Sequence, residues 1–495
     1  MEISFNTESM QDYQTFLRLK RTPAYQWRGH TAIVPEEYVS FVTGHSKRHV
    51  ATHNYQPSEF LFDYQRDIAA LAIRKRKFAV FAECGLGKTA IQLEIARHIL
   101  LHGSGRVLIV APLMVVQQTV EEAAAYYHGF VTPEVVPAAK LQDWLNGEWG
   151  QPFGITNYEA IREGLTQGQL SALLLDESST LKSHYGRWGQ RLIELGKGLE
   201  WKFAFTGTPA PNDRIEFANH AVFLDHFRTT HEFLARYFVN RGETQNRWEL
   251  RPHALPAFYR DLSHWCIFLS DPSTYGWKDN VTAIPPIQMH IESVDLTPEQ
   301  RTACQSLTGQ LTVTDAGGIG QRGALMQIAK GNWKGKPIPT NKPAHIRQRV
   351  DSWPEESTII WCHYNEEQSA MEAVFPEAGS IQGKTPLAAR QRIIQDFKDG
   401  VKRVLISKPE VLGFGLNLQV ATRQVFNGLT DSWEDFHQAV KRSNRVGSTR
   451  PLNVHIPVTE IEEAMVANVL RKADRIEEDT REQEKLFSEQ RILGL

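Results

Sequence analysis

The chain has 495 residues, enough for two or three domains that each bury a core, and its 55 Lys and Arg nearly balance 57 Asp and Glu. That balance excludes a global field drawing it onto a polyanion, so any nucleic-acid binding must come from local patches. Cys84, Cys266, Cys304 and Cys362 are too scattered for a disulfide framework or a metal site, no apolar stretch reaches membrane-spanning length, and the start lacks the layout of a secretion signal, which points to a reducing cytoplasm.

Residues 1–57 interleave rings and cations, among them Tyr13, Phe16, Arg18, Lys20, Tyr25, Trp27 and Arg28. Such a composition suits stacking on nucleic acid or a small docking subdomain. Arg74-Lys75-Arg76-Lys77 reads either as a phosphate contact or as a solvated helix end. The apolar run Phe78-Ala79-Val80-Phe81 then leads into Ala82-Glu83-Cys84-Gly85-Leu86-Gly87-Lys88-Thr89 and a helical pattern. Strand, Gly-rich turn and helix start make a nucleoside triphosphate site: Gly85 and Gly87 let backbone N–H groups close around phosphate, Lys88 reaches the outer phosphates, and Thr89 can ligate Mg²⁺. The full pattern asks for Gly where Ala82 stands.

Leu173-Leu174-Leu175-Asp176-Glu177 is an apolar run ending in two acids, as at the carboxyl end of a buried parallel strand. Hydrolysis of a bound triphosphate needs both, and we assign Asp176 to the metal and Glu177 to the attacking water. Trp201 to Asn212 is another short apolar strand, emptying into a turn with Thr206, Gly207 and Thr208. A largely helical excursion to about Pro285 follows. In Val294 to Gln300 a strand meets a helix with Thr297 at the N-cap and Pro298 at its first position. Lys334, Lys336 and Lys342 are further candidate phosphate contacts. Arg442 and Arg445 lie three apart, which puts them on one face of a helix, and the tail from Ile476 alternates Glu, Arg and Lys as an exposed helix.

In this order the blocks resemble the superfamily-two helicases, and within them the Swi/Snf-type ATPases that track along double-stranded DNA, over roughly Ser58 to Ala473. The resemblance implies an α/β fold of two RecA-like parallel-sheet lobes with helical insertions and a small N-terminal subdomain. Its divisions would be 1–57 for that subdomain, 58–215 for the ATP-binding lobe, 216–335 for a helical protrusion and linker, 336–475 for the second lobe and 476–495 for a charged helix. It makes Gln65, in Leu61-Phe62-Asp63-Tyr64-Gln65, the reader of adenine, and gives Pro112, Asn157 and Tyr158 to the DNA side. Thr206 and Thr208 take coupling positions. Gly413-Phe414-Gly415-Leu416-Asn417-Leu418 matches a loop between nucleotide and DNA, with Gly415 on the nucleotide side and Asn417 on the other. Gln438 to Gly447 resembles the segment whose arginines, here Arg442 and Arg445, meet the γ-phosphate.

The implied ligands are ATP, Mg²⁺ and DNA, with double-stranded DNA favoured, no membrane, and an unidentified protein partner left open. The modest length, with departures from the family's pattern, suggests a compact prokaryotic or phage version working in the cytoplasm. Two departures stand out: the acids are followed by Ser178-Ser179 in place of a small residue and His, and Ser448 stands where the family has Gln. A strand-separating helicase on DNA or RNA, and a nucleotide-switched DNA-binding module that recruits a partner, are the competing readings.

Overall fold

The computed structural model describes the chain apart from residues 23–24, 35–38, 40–41, 45–54, 128–131, 183–186, 243–247, 279–283, 309–318, 413–415, 431, 446–447 and 493–495. It divides into two compact units, Met1–Val281 with Glu478–Leu495, and Thr282–Glu477.

The first unit is built on β1 (Lys77–Ala82), β2 (Arg106–Ala111), β3 (Glu134–Val135), β4 (Phe153–Asn157), β5 (Leu170–Asp176), β6 (Trp201–Thr206) and β7 (Cys266–Leu269). Their order across the sheet is β7-β1-β6-β5-β2-β4-β3, every pairing parallel. The apolar runs are continuous because a parallel sheet is covered on both faces. Phe78, Val80, Leu108, Leu173 and Phe203 are accordingly wholly buried. In such sheets ligands bind beyond the carboxyl ends of the strands. With β6 lying between β1 and β5, the turn after Thr206 necessarily comes between the phosphate loop and the acids.

The stretch expected to be a helical excursion contributes β7, which pairs with β1 at the sheet edge. Cys266, Ile267, Phe268 and Leu269 form an apolar run too short to announce itself as a strand, and burial against β1 decides it. Near the N-terminus, Glu2–Ser4, Thr31–Ile33 and Gln26–Arg28 form a small antiparallel sheet with the helix Met10–Leu19, around Leu19, Ala32, Val34, Val39 and Val42.

The second unit holds β8 (Ile287–Ser293), β9 (Thr358–Trp361), β10 (Gly379–Ile381), β11 (Val404–Ser407), β12 (Arg423–Phe426) and β13 (Leu452–Val458). Their order is β8-β13-β12-β9-β11-β10, again all parallel. The expected α/β class with two parallel-sheet lobes is what the chain adopts. Thr297 caps the helix Pro298–Thr308 as its sequence requires: Gln300 N donates to Thr297 Oγ1 at 3.2 Å, and Thr297 N donates to Gln300 Oε1 at 3.0 Å.

The tail differs from expectation. It belongs to a helix, Glu463–Ile492, and its last part lies within the first unit, where Gln483 and Glu484 are buried. Glu484 accepts from Ser270 Oγ at 2.7 Å, Asp479 accepts from Tyr259 Oη at 2.7 Å and pairs with Arg214, and Leu486 packs on the core. Alternating charges read as a solvated face, but these acids have partners from distant segments.

Candidate nucleotide site

In the first unit the helix Lys88–His102 starts directly at the phosphate loop, with Gly87 as its N-cap at φ +74° and Gly85 at φ +88°. These are left-handed conformations that glycine adopts without steric cost. At Gly87 a Cβ would lie 2.2 Å from Gln65 Nε2, so a larger residue there would push the Gln65 amide from its place. Gln65 is held against the loop: its Oε1 accepts from Phe62 N at 3.0 Å, while Nε2 donates to Tyr64 Oη at 3.3 Å and Leu86 O at 3.4 Å. Lys88 Nζ donates to Ala82 O at 2.9 Å, folded over the loop it would serve. Burial works against its charge, yet Cys84, Glu177, Asp176 and Glu83 together hold its pKa above the ordinary lysine value. The loop, the helix N-terminus and this ammonium form a cradle with the donors a triphosphate requires.

Across the sheet, Asp176 ends β5 and is 4 % exposed. Burial, then the neighbouring Glu177, push its carboxyl up to about 7, against the pull of Lys88. Two carboxyls crowded in this way fit a divalent cation, whose charge would favour the ionised form of Asp176 and whose ligands of choice are oxygens. Asp176 and Thr89 are the residues that would hold it. Glu177 sits in the left-handed region at φ +48° and accepts from Thr206 Oγ1 at 3.3 Å. Thr208 N donates to the same Thr206 hydroxyl at 3.1 Å.

Gln65, Gly85, Gly87, Lys88, Thr89, Asp176, Glu177, Thr206 and Thr208 therefore come from the carboxyl ends of β1, β5 and β6, the loops after them and the helices Asp63–Lys75 and Lys88–His102. The residues assigned to the DNA side are occupied differently. Tyr158 is 6 % exposed and its hydroxyl donates to Asp176 O at 2.6 Å, so it braces the acidic strand. Asn157 Oδ1 accepts from Ala160 N at 2.9 Å, capping the turn Tyr158–Ala160, and Pro112 O accepts from Val115 N where the helix Leu113–Tyr127 begins.

In the second unit the arginine segment departs from the expected geometry. Its helix, Trp433–Val440, ends before Arg442, and both arginines lie in the turns beyond. Turn-type backbone bonds continue there, as from Asn444 N to Val440 O at 3.2 Å, and long-range ones join them: Leu418 N donates to Arg442 O at 2.9 Å and Asn444 Nδ2 donates to Pro285 O at 2.8 Å. Arg445 Nη1 donates to Leu416 O at 3.3 Å. Ser448 stitches the turn, its hydroxyl accepting from Arg445 N at 3.2 Å and donating to Ser443 O at 3.0 Å. Thus the arginines and the segment after the glycine loop are joined, although not through a shared helix face. Asn417 bonds to Gln419 and Gln438 to Glu434. Gly415 lies outside the described residues, with Gly413 and Phe414.

Three members of the two basic patches have ion-pair partners. Lys342 is fully buried and pairs with Glu462 at 2.6 Å, which removes it as a phosphate contact. Arg76 pairs with Glu200, and Lys77 with Asp225 at 2.7 Å. No motif announced Asn219 and His220, which reach the turn after the acids from the helix Phe217–Phe223. The four cysteines are free, and among the described residues no cluster of His, Cys, Asp and Glu could hold a metal in the manner of a structural site.

Residues 341–447 match the helicase conserved C-terminal domain. The putative protein p41 of Acyrthosiphon pisum secondary endosymbiont phage 1 is 24% identical over 424 residues, 78% of this chain and 88% of that protein. The DNA annealing helicase and endonuclease ZRANB3 of Bos taurus is 23% identical over 420 residues, 80% of this chain. The ATP-dependent helicase fft1 of Schizosaccharomyces pombe is 30% identical over 113 residues, 22% of this chain. This chain spans 38% of the length of the bovine relative and 12% of that of the yeast one. The Sulfolobus solfataricus SWI2/SNF2 ATPase core, solved in complex with dsDNA, aligns over 82% of this chain and 89% of its own, at 18% identity and a TM-score of 0.39. A helicase C-terminal domain in the second unit, following a phosphate loop and paired acids in the first, supports a superfamily-two helicase of Swi/Snf type, a kind whose members are DNA-dependent ATPases.

Proposed function

We propose that the chain is a translocase that hydrolyses Mg-ATP and uses the cycle to move along double-stranded DNA. The observation that carries this reading is the convergence of Lys88, Asp176, Glu177 and Thr206 on one carboxyl sheet edge. In this reading the loop N–H groups and Lys88 bind the triphosphate, and Gln65 reads the adenine. Asp176 and Thr89 hold Mg²⁺, which when bound neutralises phosphate charge. Glu177 orients the attacking water and takes its proton, with its own carboxylate fixed by Thr206. Arg442 and Arg445 meet the charge developing on the γ-phosphate. Pro112, Asn157, Tyr158, Thr208, Asn417 and Gln438 are assigned to the DNA side and to coupling, and Gly415 to the nucleotide side of its loop.

The test is steady-state ATPase activity of wild type and Lys88→Ala with no nucleic acid, single-stranded DNA, duplex DNA and duplex RNA of several lengths. Stimulation that rises with duplex DNA length and vanishes in the variant is the expected result. Stimulation by single strands or RNA alone would overturn the substrate, and turnover indifferent to polymer would favour a nucleotide-switched binding module. Strand separation is the second reading, since one relative is named an ATP-dependent helicase. The reading puts the enzyme in the cytoplasm of a prokaryotic or phage-infected cell, in keeping with its phage relative. Among the described residues no helix is long and apolar enough to cross a membrane.

A further inference from the structure

The turn Ser178–Lys182 directly follows the acids and is held from outside by one short helix, Phe217–Phe223. Asn219 Nδ2 donates to Leu181 O at 2.7 Å, and His220 Nε2 lies 3.1 Å from Ser178 Oγ. Both side chains are buried, at 3 % and 0 % exposure. The His220 ring stands edge-on to Phe81, 5.3 Å between centroids, and Phe81 belongs to the strand that carries the phosphate loop. Burial pushes the imidazole down to about 4, so at neutral pH it has one N–H to give. Its Nδ1 faces Glu216 O, one helical turn back, at 3.5 Å. With Nδ1–H directed there, Nε2 is an acceptor and the Ser178 hydroxyl donates to it.

Glu177 precedes this turn with φ +48°, a left-handed conformation that is strained for a non-glycine residue and persists only where its surroundings impose it. The surroundings that do so are visible: Asp176 is bound through its carbonyl by Tyr158, Ser178 by His220, and Leu181 by Asn219. A relaxation of the turn would swing the Glu177 carboxylate away from Thr206.

We propose that His220, acting from a separate helix through the Ser178 hydroxyl, is a positioning residue for Glu177. This rests on the reading of Glu177 as the residue that activates water. A misplaced base lowers the rate of the chemical step while leaving nucleotide affinity intact.

The experiment compares wild type with Ser178→Ala, His220→Ala, His220→Gln and the Ser178→Ala/His220→Ala double variant in ATPase kinetics and nucleotide titration. The single alanine variants are expected to lose roughly 10- to 100-fold in kcat at unchanged KM for ATP. The double variant should lose no more than either single, and His220→Gln, whose amide oxygen can accept where Nε2 does, should regain most of the rate. If His220→Ala does not fold, Ser178→Ala carries the test, since it removes a single hydroxyl. A kcat within twofold of wild type, additive losses, or a change confined to KM would overturn the proposal while leaving the ATPase reading intact. A wild type that does not hydrolyse ATP would remove that reading and this inference with it.

Discussion

Thr206 Oγ1 donates to the Glu177 carboxylate across 3.3 Å, linking two strand ends that lie 29 residues apart in the chain. The hydroxyl also accepts from Thr208 N, so the turn after β6 and the acid after β5 share one hydrogen-bonded atom. Thr206→Val keeps the volume and removes the bond. Turnover should fall roughly tenfold with KM for ATP nearly unchanged, because an orienting contact matters most in the chemical step. Steady-state kinetics decide it, and an unchanged kcat would detach Thr206 from hydrolysis.

Glu177→Gln should bind ATP as wild type does and fail to hydrolyse it. The amide keeps the shape but cannot take a proton. Nucleotide titration alongside single-turnover hydrolysis separates the two, and undiminished turnover would reassign the base.

Removal of Arg442 or Arg445 should each cost on the order of 10³-fold in nucleic-acid-stimulated kcat if the pair stabilises developing phosphate charge as arginine fingers do. Ser448→Ala, which only loosens the turn that presents Arg445, should cost far less. Equal losses in all three would make the segment structural.

The second unit should lose stability on acidification. Glu292 is held down to about 2, against its burial, by Arg349, His455 and His345, and burial pushes His455 down to about 4. Both groups take up a proton more readily in the unfolded chain, so their contribution is complete above about pH 6.5. It falls first as His455 titrates in the unfolded state below about 6.5, then as Glu292 does between about 4.3 and 2. Urea midpoints followed by a probe in this unit at pH 7.5, 5.5 and 4 should decrease in that order, and His455→Gln should flatten the upper step. A midpoint independent of pH would contradict the sign.

Lys342→Met should destabilise the second unit by about 3–5 kcal/mol, since Glu462, 1 % exposed, would be left without its buried cation. Lys342→Met/Glu462→Leu should recover much of that loss, because two well-packed apolar side chains avoid the desolvation of both charges. Denaturant unfolding of both variants measures it. A double variant less stable than the single one would mean that the pair serves some further contact.

Much of the nucleotide site was legible in the residue order. A phosphate loop needs small residues at fixed spacing between strand and helix, and Gly85, Gly87, Lys88 and Thr89 meet that need within five residues. Asp176-Glu177 at the end of an apolar run likewise marks a buried strand end by local chemistry alone. The buried parallel strands themselves follow from continuous apolar runs, which cover both faces of a sheet. Other features depend on which segments meet. That β6 lies between β1 and β5, that His220 reaches Ser178 from 42 residues away, and that Lys342 finds Glu462 across 120 residues are outcomes of packing. So are the contacts of the arginine segment to Leu418 and Pro285, beyond the end of its helix at Val440, and so is the burial of acids in a tail whose charges looked solvated. Periodicity and spacing report what a segment prefers in its own neighbourhood. Partner choice across tens of residues is decided by burial, and burial exists only once the chain has folded.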